Sequence, residues 1–232
     1  MKKLIFTMAL LVSMFQFTNA QEAVSENKMV LGGSFNFLVQ NNAFPLSSFT
    51  INSGIGGIYS NTTEDSKNTT FAFTPYLAKE LKPQLLVGFQ LDYRVANYWA
   101  DNTVLIGQPN LGRFERNSNQ IGFGLFTRHM LNPEKSFIFF LQPYFDFNFL
   151  NEEVKRGDDL VQKEKANYLE LGVGIGLLYN INDRIRAIVR TGGINYVRGN
   201  WKIEDTDVEK DFSSFGTSIN LTSVFFGFEV RL

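Results

Sequence analysis

The stretch ELGVGIGLLYN, Glu170 to Asn180, places three glycines at intervals of two residues. A dinucleotide-binding loop requires Gly-x-Gly-x-x-Gly, in which the third glycine lies where a following helix packs closely. Here the third glycine is Gly176 and Leu177 follows it, so the motif is absent. A period of two residues is that of a β-strand, whose successive side chains point to opposite faces. One face of this strand is apolar and the other is small or polar, which predicts two different surroundings.

Apolar residues alternate in the same way along most of the chain. The alternation predicts about eight strands of about ten residues, the length that crosses an outer membrane. Short turns join some of these strands and long polar segments join the others, so we predict an all-β fold, a closed up-and-down antiparallel transmembrane β-barrel. The predicted strands lie at 29–40, 70–78, 84–94, 120–130, 136–149, 170–180, 186–196 and 223–232, and the long connections at 41–68, 96–118, 151–166 and 198–214.

The first 20 residues have the composition of a secretory signal peptide. Two lysines precede an apolar run from Leu4 to Phe17, and Thr18 to Ala20 forms a small-residue cleavage site. The apolar run is too short to span a membrane comfortably. We expect cleavage after Ala20, which leaves residues 21–232 as one barrel domain in the outer membrane of a Gram-negative bacterium. The sequence has no cysteine, so we expect no disulfide in this exported domain.

A soluble lipocalin-like barrel would show the same alternation, with its apolar face inside and charges outside. The polar face argues against that alternative because it is rich in glycine, glutamine and asparagine. Glycine weakens an exposed strand but makes room in a narrow interior. We therefore expect the apolar face, which holds many of the 24 phenylalanines, to contact lipid. A net charge of −1 with interspersed signs argues against a nucleic-acid partner.

The segment FAFTPYLAKELKPQLLVGFQLDY, Phe71 to Tyr93, carries a family resemblance. It combines alternating apolar residues with a proline, a short turn and a glycine-containing strand that ends in an aromatic residue. This pattern resembles the outer-membrane β-barrel family of Bacteroidetes. The signal, strands and connections together resemble the small outer-membrane barrels of OmpX and OmpA-transmembrane type. The sequence departs from the family pattern at Ala78 and Lys79, where glycine and an aromatic residue are usual.

Charged residues on the polar face are expected to line the interior of the barrel. Buried charges are tolerated only when they are paired, so we expect a network that includes Arg186 with Glu229 on the adjacent strand. Such charges could form a gated polar path or an acidic cation site at the mouth, but about eight strands leave width only for side chains, and we expect filling. The predicted network comprises Arg128, Arg186, Glu229 and Arg231 near the periplasmic end, Arg190 at mid-depth, and Asp92, Arg94, Asp146 and Glu170 near the extracellular mouth.

His129 is the only histidine, and it could serve as the general base of a lipid-modifying barrel enzyme. No serine lies beside it, and its strand places it at the periplasmic end, whereas such enzymes act on the outer leaflet. We expect an interfacial role, because rings with polar tips favour the membrane boundary. The predicted aromatic girdles comprise His129 and Tyr179 on the periplasmic side and Tyr93, Tyr98, Trp99 and Trp201 on the outer side.

These patterns predict a protein without enzymatic activity, catalytic residues, metal or cofactor. Its expected role is structural or surface-interacting, with a lumen filled by side chains. A narrow, gated, porin-like channel for small solutes is the alternative, and an outer-leaflet lipid-modifying enzyme is the third hypothesis. We expect a monomer that contacts outer-membrane lipid and meets envelope proteins or surface ligands through its long loops.

Overall fold

The computed structural model describes residues 28–41, 59–60, 66–100, 104–105, 113–157, 159–217 and 224–232. The predicted signal peptide, residues 1–20, lies outside these ranges. Within them, no helix is long and apolar enough to cross a membrane. The regular elements of the described residues are the strands β1 (Met29–Asn41), β2 (Tyr59–Ser60), β3 (Ser66–Lys82), β4 (Leu85–Ala100), β5 (Val104–Leu105), β6 (Phe114–Met130), β7 (Phe137–Arg156), β8 (Asp159–Asn180), β9 (Ile185–Ile203), β10 (Glu209–Thr217) and β11 (Phe225–Arg231).

Nine of these strands form one antiparallel sheet that closes on itself. Around the ring, neighbouring strands pair in the order β1, β3, β4, β6, β7, β8 and β9. The last strand, β11, pairs with both β9 and β1, which closes the ring. β10 pairs with residues 194–202 of β9 and β11 with residues 185–190, so these two strands follow one another along the same edge. The sheet therefore has nine strands, and because β10 and β11 share one position beside β9, eight strand positions surround the barrel. β2 and β5 form a separate pair.

The outward face of the ring is apolar and exposed. Along β7 its residues run from Phe137, which is 55% exposed, to Phe149, which is 40% exposed. These residues are twelve steps apart, and steps of about 3.3 Å tilted by about 40° span about 30 Å, the thickness of the hydrocarbon core of a bilayer. Other strands continue this band, for example β6 at Leu125 and β11 at Phe228. The apolar face therefore points out of the barrel, as the alternation predicted.

The strands continue well beyond this band at one end of the barrel. Short turns at 83–84, 131–136 and 181–184 define the other, short-turn end. At the opposite, long-loop end, only residues 157–158 separate β7 from β8, and only residues 204–208 separate β9 from β10. The predicted long loops in these two places are therefore wrong, because most of their residues lie in strands. Outside lipid a strand needs no apolar outward face, so the alternation ends while the backbone pairing continues.

A β-bulge in β9 reverses which of its side chains face inward. The register with β8 shifts between Gly174 and Ile175, so that Gly192 opposes no residue of β8. One extra residue exchanges the two faces of a strand. Before the bulge even-numbered residues such as Arg186 face inward, and after it odd-numbered residues do. Trp201 is consequently buried inside the barrel. The sequence predicted that it would contact the lipid boundary, and that prediction is wrong.

Candidate functional site

An ion-pair cluster lies inside the barrel near the short-turn end, and we call it the closure cluster: Tyr76, Arg128, Arg186 and Glu229. The Glu229 carboxylate lies 2.5 Å from Arg128 Nη1 and also pairs with Arg186. The Tyr76 hydroxyl donates a hydrogen bond of 2.5 Å to Glu229. The two arginines and Glu229 are at most 1% exposed. One carboxylate is thus shared by two fully buried guanidinium groups.

Aromatic and aliphatic side chains enclose the closure cluster. The Arg128 guanidinium lies 4.6 Å from the ring centre of Phe140 and 5.1 Å from that of Tyr76, within the range of cation–π attraction. Because the surrounding apolar side chains are buried against one another, this end of the barrel is packed like a protein core. The buried apolar layer comprises Val30, Tyr76, Ala78, Leu86, Phe126, Met130, Ile138, Phe140, Leu178 and Ile188.

Glycines of β8 make room for the rings of β7. A Cβ atom at Gly172 would lie 2.5 Å from Cζ of Tyr144, and a Cβ atom at Gly176 would overlap the ring of Phe140. The glycine-rich stretch at 170–180 is therefore a strand whose inner face accommodates aromatic rings from its neighbour. It binds no nucleotide phosphate in the manner of a glycine-rich loop, because it is extended throughout.

Next to the closure cluster, toward the long-loop end, the barrel encloses a polar cavity of about 390 Å³. Several inner positions at this depth hold small residues, such as Ala72, Thr74 and Gly174, and these leave the space open. The expectation that side chains fill the interior is therefore wrong at mid-depth. The cavity walls carry carboxylates, amides, hydroxyls and two guanidinium groups.

Three carboxylates line this cavity, those of Asp92, Asp146 and Glu170. Each accepts hydrogen bonds from neutral groups, and in the described part of the chain none forms an ion pair with lysine or arginine. Asp146 and Glu170 stand directly opposite each other on β7 and β8. The hydrogen bonds are Thr74 Oγ1 to Asp92 (2.7 Å), Gln90 Nε2 to Asp92 (3.3 Å) and to Asp146 (2.9 Å), Tyr144 Oη to Glu170 (2.7 Å), and Asn195 Nδ2 to Glu170 (2.9 Å).

Arg190 lines the same cavity from β9. Its guanidinium lies 4.7 Å from the ring centre of Phe225. Its Nε atom is buried without a hydrogen-bond partner, and the side chain makes no ion pair with any described residue. It interacts with the charges of Asp92 and Asp146 over a longer distance. The cavity therefore holds charges of both signs that do not touch.

A second packed layer lies beyond the cavity, toward the long-loop end. Trp201 donates its Nε1 hydrogen to Glu164 at 2.8 Å. Glu152 accepts a hydrogen bond of 2.8 Å from Ser118 and pairs with Arg116 at 2.9 Å. The Glu152 carboxylate thus has a cationic partner, unlike the carboxylates of the cavity. The apolar part of this layer comprises Leu150, Ala166, Tyr168 and Trp201, with Val197, Ile203 and Phe212 packed against them.

Eight of the nine charges predicted for the lumen belong to the closure cluster or line the cavity. The prediction placed four of them at the extracellular mouth, whereas they lie at mid-depth because the strands continue further. Asp146, for example, is the tenth residue of the 20-residue β7. Arg128, Arg186 and Glu229 form the closure cluster, Arg231 lies beside it at 3.3 Å from Glu80, and Asp92, Arg94, Asp146, Glu170 and Arg190 line the cavity.

Of the six residues predicted for the aromatic girdles, four share the outward face and two lie inside. Tyr98 is on the same face of β4 as the buried Ala96 and Ala100, and Trp201 is buried after the bulge of β9. Both placements contradict the predicted lipid contact. Tyr93 and Tyr179 are exposed, His129 lies 3.5 Å from Thr127 Oγ1, and Trp99 stacks under Arg113 at 4.5 Å.

A chain of hydrogen bonds through two glutamines connects the closure cluster to the cavity, and the sequence did not predict it. Arg128 Nε donates to Gln142 at 3.0 Å, and Gln142 Nε2 donates to Gln90 Oε1 at 3.4 Å. Gln90 in turn donates to Asp146. The two glutamines occupy inward-facing positions of their strands, as the charged residues do, and this was the one feature of the sequence that could have indicated their role. Glu80, which follows the predicted strand at 70–78, lies on β3 and faces inward.

Ion pairs also connect the hairpins outside the apolar band. Lys163 lies 3.5 Å from Glu153, and Lys165 pairs with Glu204 in the turn that follows β9. The hydrogen bond from Lys165 lowers the pKa of Glu204, and the positive charges of Lys165, Lys163 and Lys202 lower it further. These pairs lie near the surface, where each contributes little to stability.

Comparison with solved structures identifies the fold. A major outer membrane protein from Thermus thermophilus is 13% identical and superposes with a TM-score of 0.51, covering 90% of this chain and 100% of that one. Neisserial surface protein A is 11% identical with a TM-score of 0.37, covering 91% and 100%. The outer membrane protease OmpT from Escherichia coli gives 11% and 0.37, covering 93% and 100%.

The first of these similarities shows a shared outer-membrane β-barrel fold and nothing finer, and the two lower scores add no support. No family model matches the sequence. No curated protein matches it either.

Proposed function

We propose that the protein is an integral outer-membrane β-barrel of the small OmpX and OmpA type, with a structural or surface-interaction role. Two features support insertion into a bilayer: the apolar band of about 30 Å and the closed ring, which pairs the backbone groups that lipid cannot satisfy. The predicted signal peptide supports export.

The closure cluster is the main support for our proposal that the barrel does not conduct ions. Arg128, Arg186 and Glu229 are fully buried among packed rings, and the cavity does not extend to Arg186 or Glu229. An ion path would have to break two buried ion pairs, and a buried charge that loses its partner is strongly destabilised. We therefore favour a closed barrel over a gated channel.

The strand hairpins beyond the apolar band support a surface role. β7–β8 and β9–β10 project past the band as paired strands, which hold a binding surface more rigidly than irregular loops do. Their outward residues are mostly polar or charged, as Glu153, Lys163 and Lys165 illustrate. We propose that these hairpins face the cell exterior and meet surface ligands or envelope proteins.

The proposal includes no enzymatic activity. His129 lies on the outward face at the short-turn end, and its ring nitrogen is 3.5 Å from a threonine hydroxyl, which is at the limit of a hydrogen bond. That end is the periplasmic one in this proposal, away from the outer-leaflet lipid.

Single-channel recording in a planar bilayer tests the closed barrel. We expect no discrete openings from the full chain. The change in its electrophoretic mobility on boiling shows beforehand that the protein is folded. An open porin in the same bilayer serves as the assay control. Stable openings that change in size in Arg190→Ala or Asp146→Ala would contradict the proposal and indicate transport through the cavity.

Cysteine labelling tests the orientation, and the absence of native cysteine makes single labels unambiguous. Asp207 lies in the β9–β10 turn and Glu134 in a short turn, and both are exposed. We expect a membrane-impermeant maleimide to label Asp207→Cys in intact cells and Glu134→Cys only after lysis. The reverse result would place the hairpins in the periplasm and reject the surface role.

A further inference from the structure

Asp146 differs from the other buried acidic residues of the described chain. Four are buried there, and Glu80, Glu152 and Glu229 each pair with an arginine. Asp146 is 6% exposed and has hydrogen bonds from Gln90 but no cationic partner. A buried carboxylate is expensive unless a positive charge compensates it.

The surroundings of Asp146 add to this imbalance. Glu170 stands directly opposite on β8, and Asp92 accepts a hydrogen bond from the same Gln90 amide group as Asp146. Like charges that face each other across strands are destabilising. The strands β4, β7 and β8 therefore present three carboxylates to the cavity, together with Arg94 of β4, and a ligand with positive charge would relieve the repulsion among the carboxylates.

The strand β9, which pairs with β8, presents a cation that forms no ion pair with a described residue. Arg190 donates no hydrogen bond to a described residue, and its guanidinium is held against the ring of Phe225. A guanidinium presents donors in a planar fork that matches a carboxylate. The cavity thus has an anion-binding group on β9 and cation-binding groups on β4, β7 and β8, of which β8 pairs directly with β9.

A single metal ion does not suit this arrangement. No group of three or more carboxylate, histidine or cysteine side chains in the described residues is close enough together to hold one. A cavity of about 390 Å³ falls within the range of about 300–1,000 Å³ that is usual for small organic ligands. Charges of both signs that line one cavity without forming ion pairs favour a molecule that carries separated charges itself.

We propose that the cavity binds a small basic amino acid or a close analogue, a molecule with one carboxylate and two cationic groups. The two cationic groups contact Asp146 with Glu170 and Asp92, and the ligand carboxylate contacts Arg190. The ring of Tyr144, which also lines the cavity, offers an aromatic surface to the ligand cation. Such a ligand supplies a partner to each charge that the folded chain leaves without one.

The cavity reaches Val197 and Phe212 toward the long-loop end, and the closure cluster seals the other end. A ligand therefore has to enter from the long-loop end, past the second packed layer. The proposal does not depend on the surface role or on the conductance of the barrel, and each can fail without the other.

Isothermal titration of the full chain in detergent micelles with lysine tests the proposal, with cadaverine and glutamate as comparison ligands. Cadaverine keeps both cationic groups of lysine but has no carboxylate. We expect saturable binding of lysine and none of glutamate. Asp146→Asn should weaken lysine binding by about tenfold or more, the value of one charge-assisted hydrogen bond. Glu152→Gln is the matched control, because this buried carboxylate is already paired outside the cavity, and it should leave binding unchanged.

Arg190→Gln tests the second half of the site. We expect it to weaken lysine binding by about tenfold or more and to leave cadaverine binding unchanged, since only lysine has a carboxylate for this residue. Absence of saturable lysine binding to the folded protein would overturn the proposal. So would equal losses in Asp146→Asn and Glu152→Gln, or equal losses for lysine and cadaverine in Arg190→Gln.

Discussion

The closure cluster and the cavity hold charges within the same barrel, but they satisfy them differently. In the closure cluster Glu229 contacts two arginines and a tyrosine hydroxyl, and packed rings exclude water. In the cavity Asp146 has an amide donor only, and Arg190 has no hydrogen-bond partner in the described chain. The first arrangement is that of a structural element, whereas the second leaves charge available for a ligand. Burial alone therefore does not indicate the role of a charged residue, because the role depends on its partners.

Removing the shared carboxylate of the closure cluster should have the largest effect. Glu229→Gln leaves Arg128 and Arg186 buried without a counter-charge, and we expect a loss of about 3–5 kcal/mol in the free energy of unfolding. Urea unfolding in lipid vesicles measures it. Glu204→Gln serves as control, because Glu204 lies in a surface turn. A loss no larger than in this control would show that the closure cluster is not a structural element.

Two glycines sharpen the contrast between the packed end and the cavity. A Cβ atom at Gly227, near Glu229, would lie 2.7 Å from Ser34 Cα, whereas at Gly174 the nearest atom outside its own strand would be 3.5 Å away. We expect Gly227→Ala to destabilise the barrel by about 1–3 kcal/mol through overpacking. Gly174→Ala, which places a methyl group beside the cavity, should change stability by about 0.5 kcal/mol or less. Equal losses in the two variants would mean that the cavity is as tightly packed as the closed end.

The surface pair of Lys165 and Glu204 should have the smallest effect. Because the pKa of Glu204 is lowered in the folded state, its contribution is present above the unfolded pKa and is lost as the pH falls through the folded pKa. We expect the wild type and Glu204→Gln to have the same urea midpoint at neutral pH and below pH 3, because solvent screens exposed pairs. A clear difference at neutral pH would show that this surface ion pair contributes more to the stability of the barrel than we expect.

The sequence predicted the part of the fold that lipid imposes. Alternation locates the strands only where one face is apolar, so the band around Phe137 to Phe149 was visible and the hairpins beyond it were not. Residues 198–214 were predicted as a long connection, so the alternation did not extend to Trp201, and the residue that Gly192 inserts into β9 was not visible in the pattern. The charges of the lumen could be predicted from parity alone, since parity determines the face of each residue.

The partners of those charges could not be predicted to the same extent. Gln90 and Gln142 connect the closure cluster to Asp146, but an uncharged residue on the inner face carries no signal that distinguishes it from its neighbours. The cavity depends on how much space the inner side chains leave, and that follows from three-dimensional packing. The sequence accordingly predicted a filled interior, whereas the structure has a cavity between two packed layers.

The sign of the stability change in Asp146→Asn is the most direct test of the difference between the two clusters. The substitution keeps the acceptor for Gln90 and removes the repulsion from Glu170 and Asp92. Urea unfolding of the ligand-free barrel in lipid vesicles should show a gain of up to about 1 kcal/mol, the range for cross-strand charge pairs. A loss of stability comparable to that in Glu229→Gln would show that Asp146 is a structural charge and would contradict the account.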